Sequence, residues 1–164
     1  MFEELLAYLE QSDVRFVVVG GVAVVIQGHA RLTVDVDLVL DLESGNVRRA
    51  IEALSARGLR PLLPVDPYDF ADEAKRRDWI ETKNLQVFSM RDEKNSLLTV
   101  DFFAEEPIPF EELWARADVV TLGGRSIHVA SIADLIRMKR TAARPQDMID
   151  IEHLESIARK RHGE

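Results

Sequence analysis

Three aspartates stand where strands are expected: Asp35 and Asp37, two residues apart in TVDVDL, and Asp101 in LLTVDFF. Aspartate is disfavoured in mid-strand, and an unpaired buried carboxylate is costly, so three of them require a compensating charge. A divalent cation is the natural one, and hard oxygen ligands select magnesium or manganese. Two carboxylates on one strand face can bridge a pair of ions, and ions about 3.5–4 Å apart clamp the attacking and leaving oxygens of an in-line phosphoryl displacement. Upstream, the apolar run FVVV ends in Gly20-Gly21. Backbone N–H groups at a glycine turn that opens a helix attract phosphate. The combination suits a nucleoside triphosphate, with its phosphates on the glycines and its metals on the aspartates. The pattern is neither the P-loop nor the G-x-G-x-x-G dinucleotide fingerprint.

Further candidates have two readings each. Arg31 either contacts a phosphate or pairs with Asp35 or Asp37 across the strand face. Lys139 either neutralises triphosphate charge or is a solvated helix lysine. Asp147 and Asp150, three apart on one helix face, are read as salt-bridge partners of Arg144 or Lys139. His29, His128, His153 and His162 lack ligand spacing and are read as packing or surface residues. Trp79 and Trp114 are read as core or partner surface.

The elements that must position these groups follow from periodicity. Apolar residues at 2, 5, 6 and 9 predict a helix over 2–11. The β-branched run 14–19 predicts a strand covered on both faces. A helix over 22–27, stopped by Gly28, is expected as the crossover to the Asp-bearing strand over 33–41. In that strand Arg31, Thr33, Asp35 and Asp37 are expected on one face, and Leu32, Val34, Val36 and Leu38 buried on the other. Next come a helix over 44–57 with Ile51 and Leu54 buried, a short strand over 59–63, and a helix over 67–77 capped by Asp66-Pro67. Strands over 85–90 and 97–103 flank a polar turn, and in the second Thr99, Asp101 and Phe103 share a face. A short helix over 110–117, a hairpin around Gly123-Gly124, and helices over 132–142 and 146–161 complete the chain.

At 164 residues, with 46% hydrophobic and 30% charged residues, the chain reads as one globular domain: a core over about 14–130 and C-terminal helices over about 131–161. With no cysteine, disulfides, thiolate metal sites and a cysteine nucleophile are excluded. No apolar run approaches the roughly 20 residues of a membrane helix, and the acidic N-terminus lacks a signal peptide's basic region, so the expected location is cytoplasmic. A net charge of −8 argues against wrapping nucleic acid non-specifically.

The spacing Gly20-Gly21, thirteen residues, Asp35-Val36-Asp37, followed by Asp101, resembles the signature of the DNA polymerase β-like nucleotidyltransferase superfamily. The longer stretches GGVAVVIQGHARLTVDVDLVL and SIADLIRMKRTAARPQDMIDIEHL are similar to the branch that contains the abortive-infection toxin nucleotidyltransferases of type IV toxin–antitoxin systems and small relatives. The resemblance implies an α/β (α+β) fold, a short mixed sheet flanked by helices. It implies transfer of a nucleoside monophosphate from an NTP such as ATP to a hydroxyl of a tRNA or other RNA, a protein or a small molecule, with release of pyrophosphate. Asp35 and Asp37 would hold two magnesium or manganese ions, and Asp101 would bind the catalytic one and help deprotonate the acceptor. An antitoxin or other partner chain is implied for the toxin branch. Many members carry Gly-Ser where this chain has Gly-Gly, so a serine contact to phosphate is missing; several toxin-like relatives share Gly-Gly. The alternative is a module of the same fold that binds a nucleotide or partner without turnover. A glycosyltransferase D-x-D reading is weaker, because the chain has no room for the usual sugar-nucleotide and acceptor regions.

Overall fold

The computed structural model describes residues 2–163. The chain runs α1 (Phe2–Gln11), β1 (Phe16–Val19), α2 (Gly20–Ile26), β2 (Asp35–Leu40), α3 (Ser44–Ala56) and β3 (Leu59–Pro61). It continues through α4 (Glu73–Lys83), β4 (Val87–Asp92), β5 (Thr99–Phe103) and α5 (Phe110–Arg116). The hairpin β6 (Asp118–Leu122) and β7 (Arg125–Val129) precedes α6 (Ile132–Ala142) and α7 (Pro145–Arg161). All seven strands join one mixed sheet in the order β3-β4-β5-β2-β1-β7-β6, the expected α/β architecture. The pairs β2–β5 and β1–β7 are parallel; the other neighbours are antiparallel.

The centre of the sheet is apolar on both sides, as the composition of β1 requires: all four of its residues are buried. In β5, Val100 and Phe102 point into the core, while Asp101 and Phe103 alternate to the other face and are half-buried. Along the aspartate face of β2, Asp35 is exposed, Asp37 half-buried and Val39 buried. The face is therefore open at one end of the strand and covered at the other. No helix among the described residues is long and apolar enough to cross a membrane.

Three expectations are corrected. First, β2 begins at Asp35 rather than Thr33, and residues 29–34 have no regular structure. Leu32, expected inward by strand alternation, is 95% exposed and Val34 is 58% exposed. The alternation is real in the sequence, but no neighbouring strand extends far enough to pair with these residues. Second, α2 is not a crossover between parallel strands, because β1 and β2 are antiparallel, with Val19 opposite Asp37. The helix fills a long hairpin connection. Third, the helix expected over 67–77 is split. A 3-10 turn over Pro67–Ala71 stops at Asp72, whose carboxylate accepts the Lys75 N–H at 3.1 Å and starts α4. Side chains of this kind compete for backbone donors and favour caps over helix interiors. The break lets Phe70 stack on Phe88 at 4.7 Å and Trp79 on Phe88 at 6.1 Å, so Trp79 is core.

Candidate active site

The parallel pairing of β2 with β5 sets Asp35 opposite Thr99 and Asp37 opposite Asp101. Neighbouring strands lie about 4.8 Å apart, so this register forces two carboxylates side by side, with a third two residues along the same face. Asp101 is close enough to Asp37 to raise its pKa. Burial first, then the charges of Asp101 and Asp35, push the Asp37 carboxyl up to about 7. Asp35 is raised as well, by burial and Asp101, with Arg91 acting against the shift. Like charges in a partly desolvated site behave in this way.

The glycine turn backs onto the same group. Gly20 has φ +66°, and a Cβ there would lie 2.1 Å from Asp37 Oδ2, so both backbone conformation and space demand glycine. At Gly21 a Cβ would meet Thr33 Oγ1 at 2.5 Å and the Arg31 guanidinium at 2.6 Å. Arg31 therefore lies against the turn. It does not pair with Asp35 or Asp37; its Nε is 3.6 Å from Asp150 Oδ1.

Lys139, expected at the triphosphate, is buried, with its ammonium 2.9 Å from Asp150 Oδ2 and 3.4 Å from Asp147 Oδ1. The expected pairing of these aspartates with Lys139 and Arg144 is found: Arg144 Nε donates to Asp147 Oδ2 at 2.9 Å. Burial works against ionisation of Asp147, but its bonds from the Arg144 side chain and backbone hold its pKa below the usual carboxylate range. The histidines pack: His29 stacks on His153 at 3.8 Å and His128 on Trp114 at 3.5 Å.

Three site residues escaped the sequence. Ser89, opposite Asp101 across β4–β5, donates its hydroxyl to Asp101 Oδ1 at 2.6 Å. Its signal was a serine between Phe88 and Met90, visible only once the register is known. Arg91 acts on Asp35 and donates to Thr99 Oγ1 at 3.2 Å. Arg144 is close enough for its charge to lower the pKa of Asp37. It was legible as a salt-bridge partner of the α7 aspartates, but not as a neighbour of residue 37.

The donor set suits a hard divalent cation, since it offers carboxylate oxygens whose mutual repulsion leaves Asp37 short of positive charge. Among the described residues, no three such side chains already converge as ligands. Asp35, Asp37 and Asp101 are the residues that would hold an ion.

No curated protein matches the sequence at a significant level. The solved structures that resemble the fold include the lincosamide antibiotic adenylyltransferase LnuA in its lincomycin-bound form and an antigenic nucleotidyltransferase-like protein from Paracoccidioides brasiliensis. LnuA matches with TM-score 0.64 and 17% identity over 95% of each chain. The second matches with TM-score 0.56 and 15% identity, over 93% of this chain and 72% of the other. At such identities the likeness is one of fold. The sequence of residues 1–159 matches the model of a family described as nucleotidyltransferase of unknown function (DUF6036), and the chain belongs to that nucleotidyltransferase family.

Proposed function

We propose that the protein, acting as a single domain, is a metal-dependent enzyme that transfers a nucleoside monophosphate from an NTP to a hydroxyl of a small-molecule acceptor. The observation that carries this reading is the pairing of Asp37 with Asp101 beside Gly20, with Asp35 on the same face. Two magnesium or manganese ions held by Asp35, Asp37 and Asp101 would supply Lewis-acid stabilisation of the phosphate oxygens. The Gly20-Gly21 turn and Arg31 bind the triphosphate, and Arg144 adds a second guanidinium on the Asp37 side. Asp101, oriented by Ser89, takes the proton of the acceptor hydroxyl as its oxygen attacks the α-phosphorus. The bond from the α-phosphorus to the bridging oxygen breaks, and pyrophosphate leaves.

Two observations favour a small molecule over RNA. The net charge of −8 offers little to a polyanion. The carboxylate end of β2 and β5 is flanked by exposed apolar residues Leu32, Val34 and Leu97, which suit an acceptor with an apolar body. LnuA, of the same fold, is a lincosamide antibiotic adenylyltransferase. A toxin role would require transfer to an RNA or protein, with an antitoxin to restrain it.

The test incubates the protein with magnesium and α-labelled NTPs against separate pools of hydroxylated small molecules, tRNA and protein. Label moving to a small molecule, and lost in Asp37→Ala, supports the proposal. Label moving only to tRNA or protein keeps the transferase and overturns the acceptor. NTP binding without transfer to any pool leaves the binding module.

A further inference from the structure

Asp150 is fully buried, yet it caps no helix and its Oδ2 accepts no hydrogen bond. That oxygen has only the Lys139 ammonium, at 2.9 Å, as an ionic neighbour. Burying a carboxylate is expensive even beside a cation, and a buried position this close to Ile151 and Leu154 would accept an apolar residue at lower cost. The other oxygen shows what the residue reaches. Asp150 Oδ1 accepts from Gln146 Nε2 at 2.9 Å and lies 3.6 Å from Arg31 Nε and 3.8 Å from His29 Nε2.

Arg31 needs such support, because residues 29–34 belong to neither helix nor strand. Gln27, at the end of α2, and alternate residues of the segment, His29 and Arg31, instead face α7. Arg161 donates to the Gln27 side chain and carbonyl at 3.0 Å, His153 stacks on His29 at 3.8 Å, and Asp150 faces Arg31. Asp150 is the last of these fasteners before the glycine turn. It approaches the Nε side of the guanidinium, while the opposite side crowds Gly21.

We propose that Asp150 is a positioning residue: from α7 it fixes the Arg31 guanidinium over the Gly20-Gly21 turn so that its free N–H groups meet the phosphates of the NTP. This rests on the reading of the site as an NTP site. Asp150 touches neither nucleotide nor acceptor and acts only through Arg31.

The test measures binding of a fluorescent ATP analogue, with magnesium, to wild type, Asp150→Asn, Arg31→Ala and the double variant, with the urea midpoint of each recorded in parallel. A guanidinium that loses its orientation forfeits a charge-assisted contact, so Asp150→Asn should weaken binding about 10-fold. In the Arg31→Ala background the same substitution should cost nothing further, the non-additivity of two residues acting as one unit. The corresponding kinetic signature is a raised KM for NTP with kcat nearly unchanged. Equal weakening in both backgrounds, or a lowered urea midpoint with unchanged binding, overturns the proposal and leaves Asp150 a structural counter-charge. Should Asp150→Asn fail to fold, Asp150→Glu keeps the charge and displaces it by one methylene. It is expected to weaken binding several-fold with Arg31 present and not at all without it, and equal weakening in both backgrounds again overturns the idea. Wild type that binds no nucleotide removes the NTP site itself, an outcome distinct from wild type and Asp150→Asn binding alike.

Discussion

Two groups of aspartates serve this protein in opposite ways. Asp147 and Asp150 on α7 are more deeply buried than Asp35, Asp37 and Asp101 on the sheet, yet cations from the chain surround them: Lys139, Arg144 and Arg31. The sheet group has a serine hydroxyl on Asp101 and more distant arginines, and Asp37 is pushed up to about 7. Burial alone therefore does not mark the carboxylate with the raised pKa. What separates the groups is whether the fold places a cation directly against the carboxylate.

The sharpest way to break this contrast is to remove one carboxylate from each group. Asp37→Ala is expected to cut label transfer on the order of 10³-fold or more while the circular dichroism spectrum stays native, because it removes a reactive group and relieves repulsion. In the compensated group the cost falls on folding. Lys139→Met leaves two buried carboxylates short of a cation and is expected to lower unfolding free energy by about 3–5 kcal/mol in urea titrations.

The pH dependence of stability discriminates next. Folded Asp37 holds its proton up to about 7, against 3.8 for an unperturbed carboxyl, so between these values the native chain binds more protons than the unfolded one. Stability of the metal-free protein should therefore fall as pH rises from about 4 to about 7 and level off above. Asp37→Asn removes that loss and is expected to stabilise the metal-free protein at pH 8 by a few kcal/mol, at most about 4. Thermal melts at pH 5 and pH 8 check both statements, and added magnesium should narrow the difference for wild type by binding the native state. The smallest effect is expected from Ser89→Ala. Loss of the hydroxyl on Asp101 should change stability by only about 1 kcal/mol while slowing transfer several-fold, read by urea titration and kcat.

The carboxylate group on the sheet was legible early because its signals are local. Glycines at 20 and 21, and carboxylates at 35, 37 and 101 in alternating apolar runs, need only strand geometry to be placed on one face. The same alternation misled at Leu32 and Val34, since a repeat of two says which way a strand's side chains point, not whether a neighbouring strand is there to pair with it. Lys139 was read as a phosphate contact or a solvated lysine; its burial between two aspartates depends on how α6 packs on α7. Arg91 and Arg144 lie far along the chain from Asp35 and Asp37, and Ser89 meets Asp101 only in the register of the β4–β5 hairpin, so no spacing rule could join them to the site.

The sequence by itself determined the alternation, the glycine turn and the three carboxylates, and with them the α/β class and the nucleotidyltransferase resemblance. These are properties of segments a few residues long, governed by backbone geometry and side-chain chemistry. Only the tertiary structure decided that Asp37 stands opposite Asp101, that Gly20 backs onto Asp37, and that α7 takes up Lys139 and Arg31 with its own aspartates. The physical reason is that register and helix docking are settled by burying the whole core at once, and the charge around each carboxylate follows from that packing.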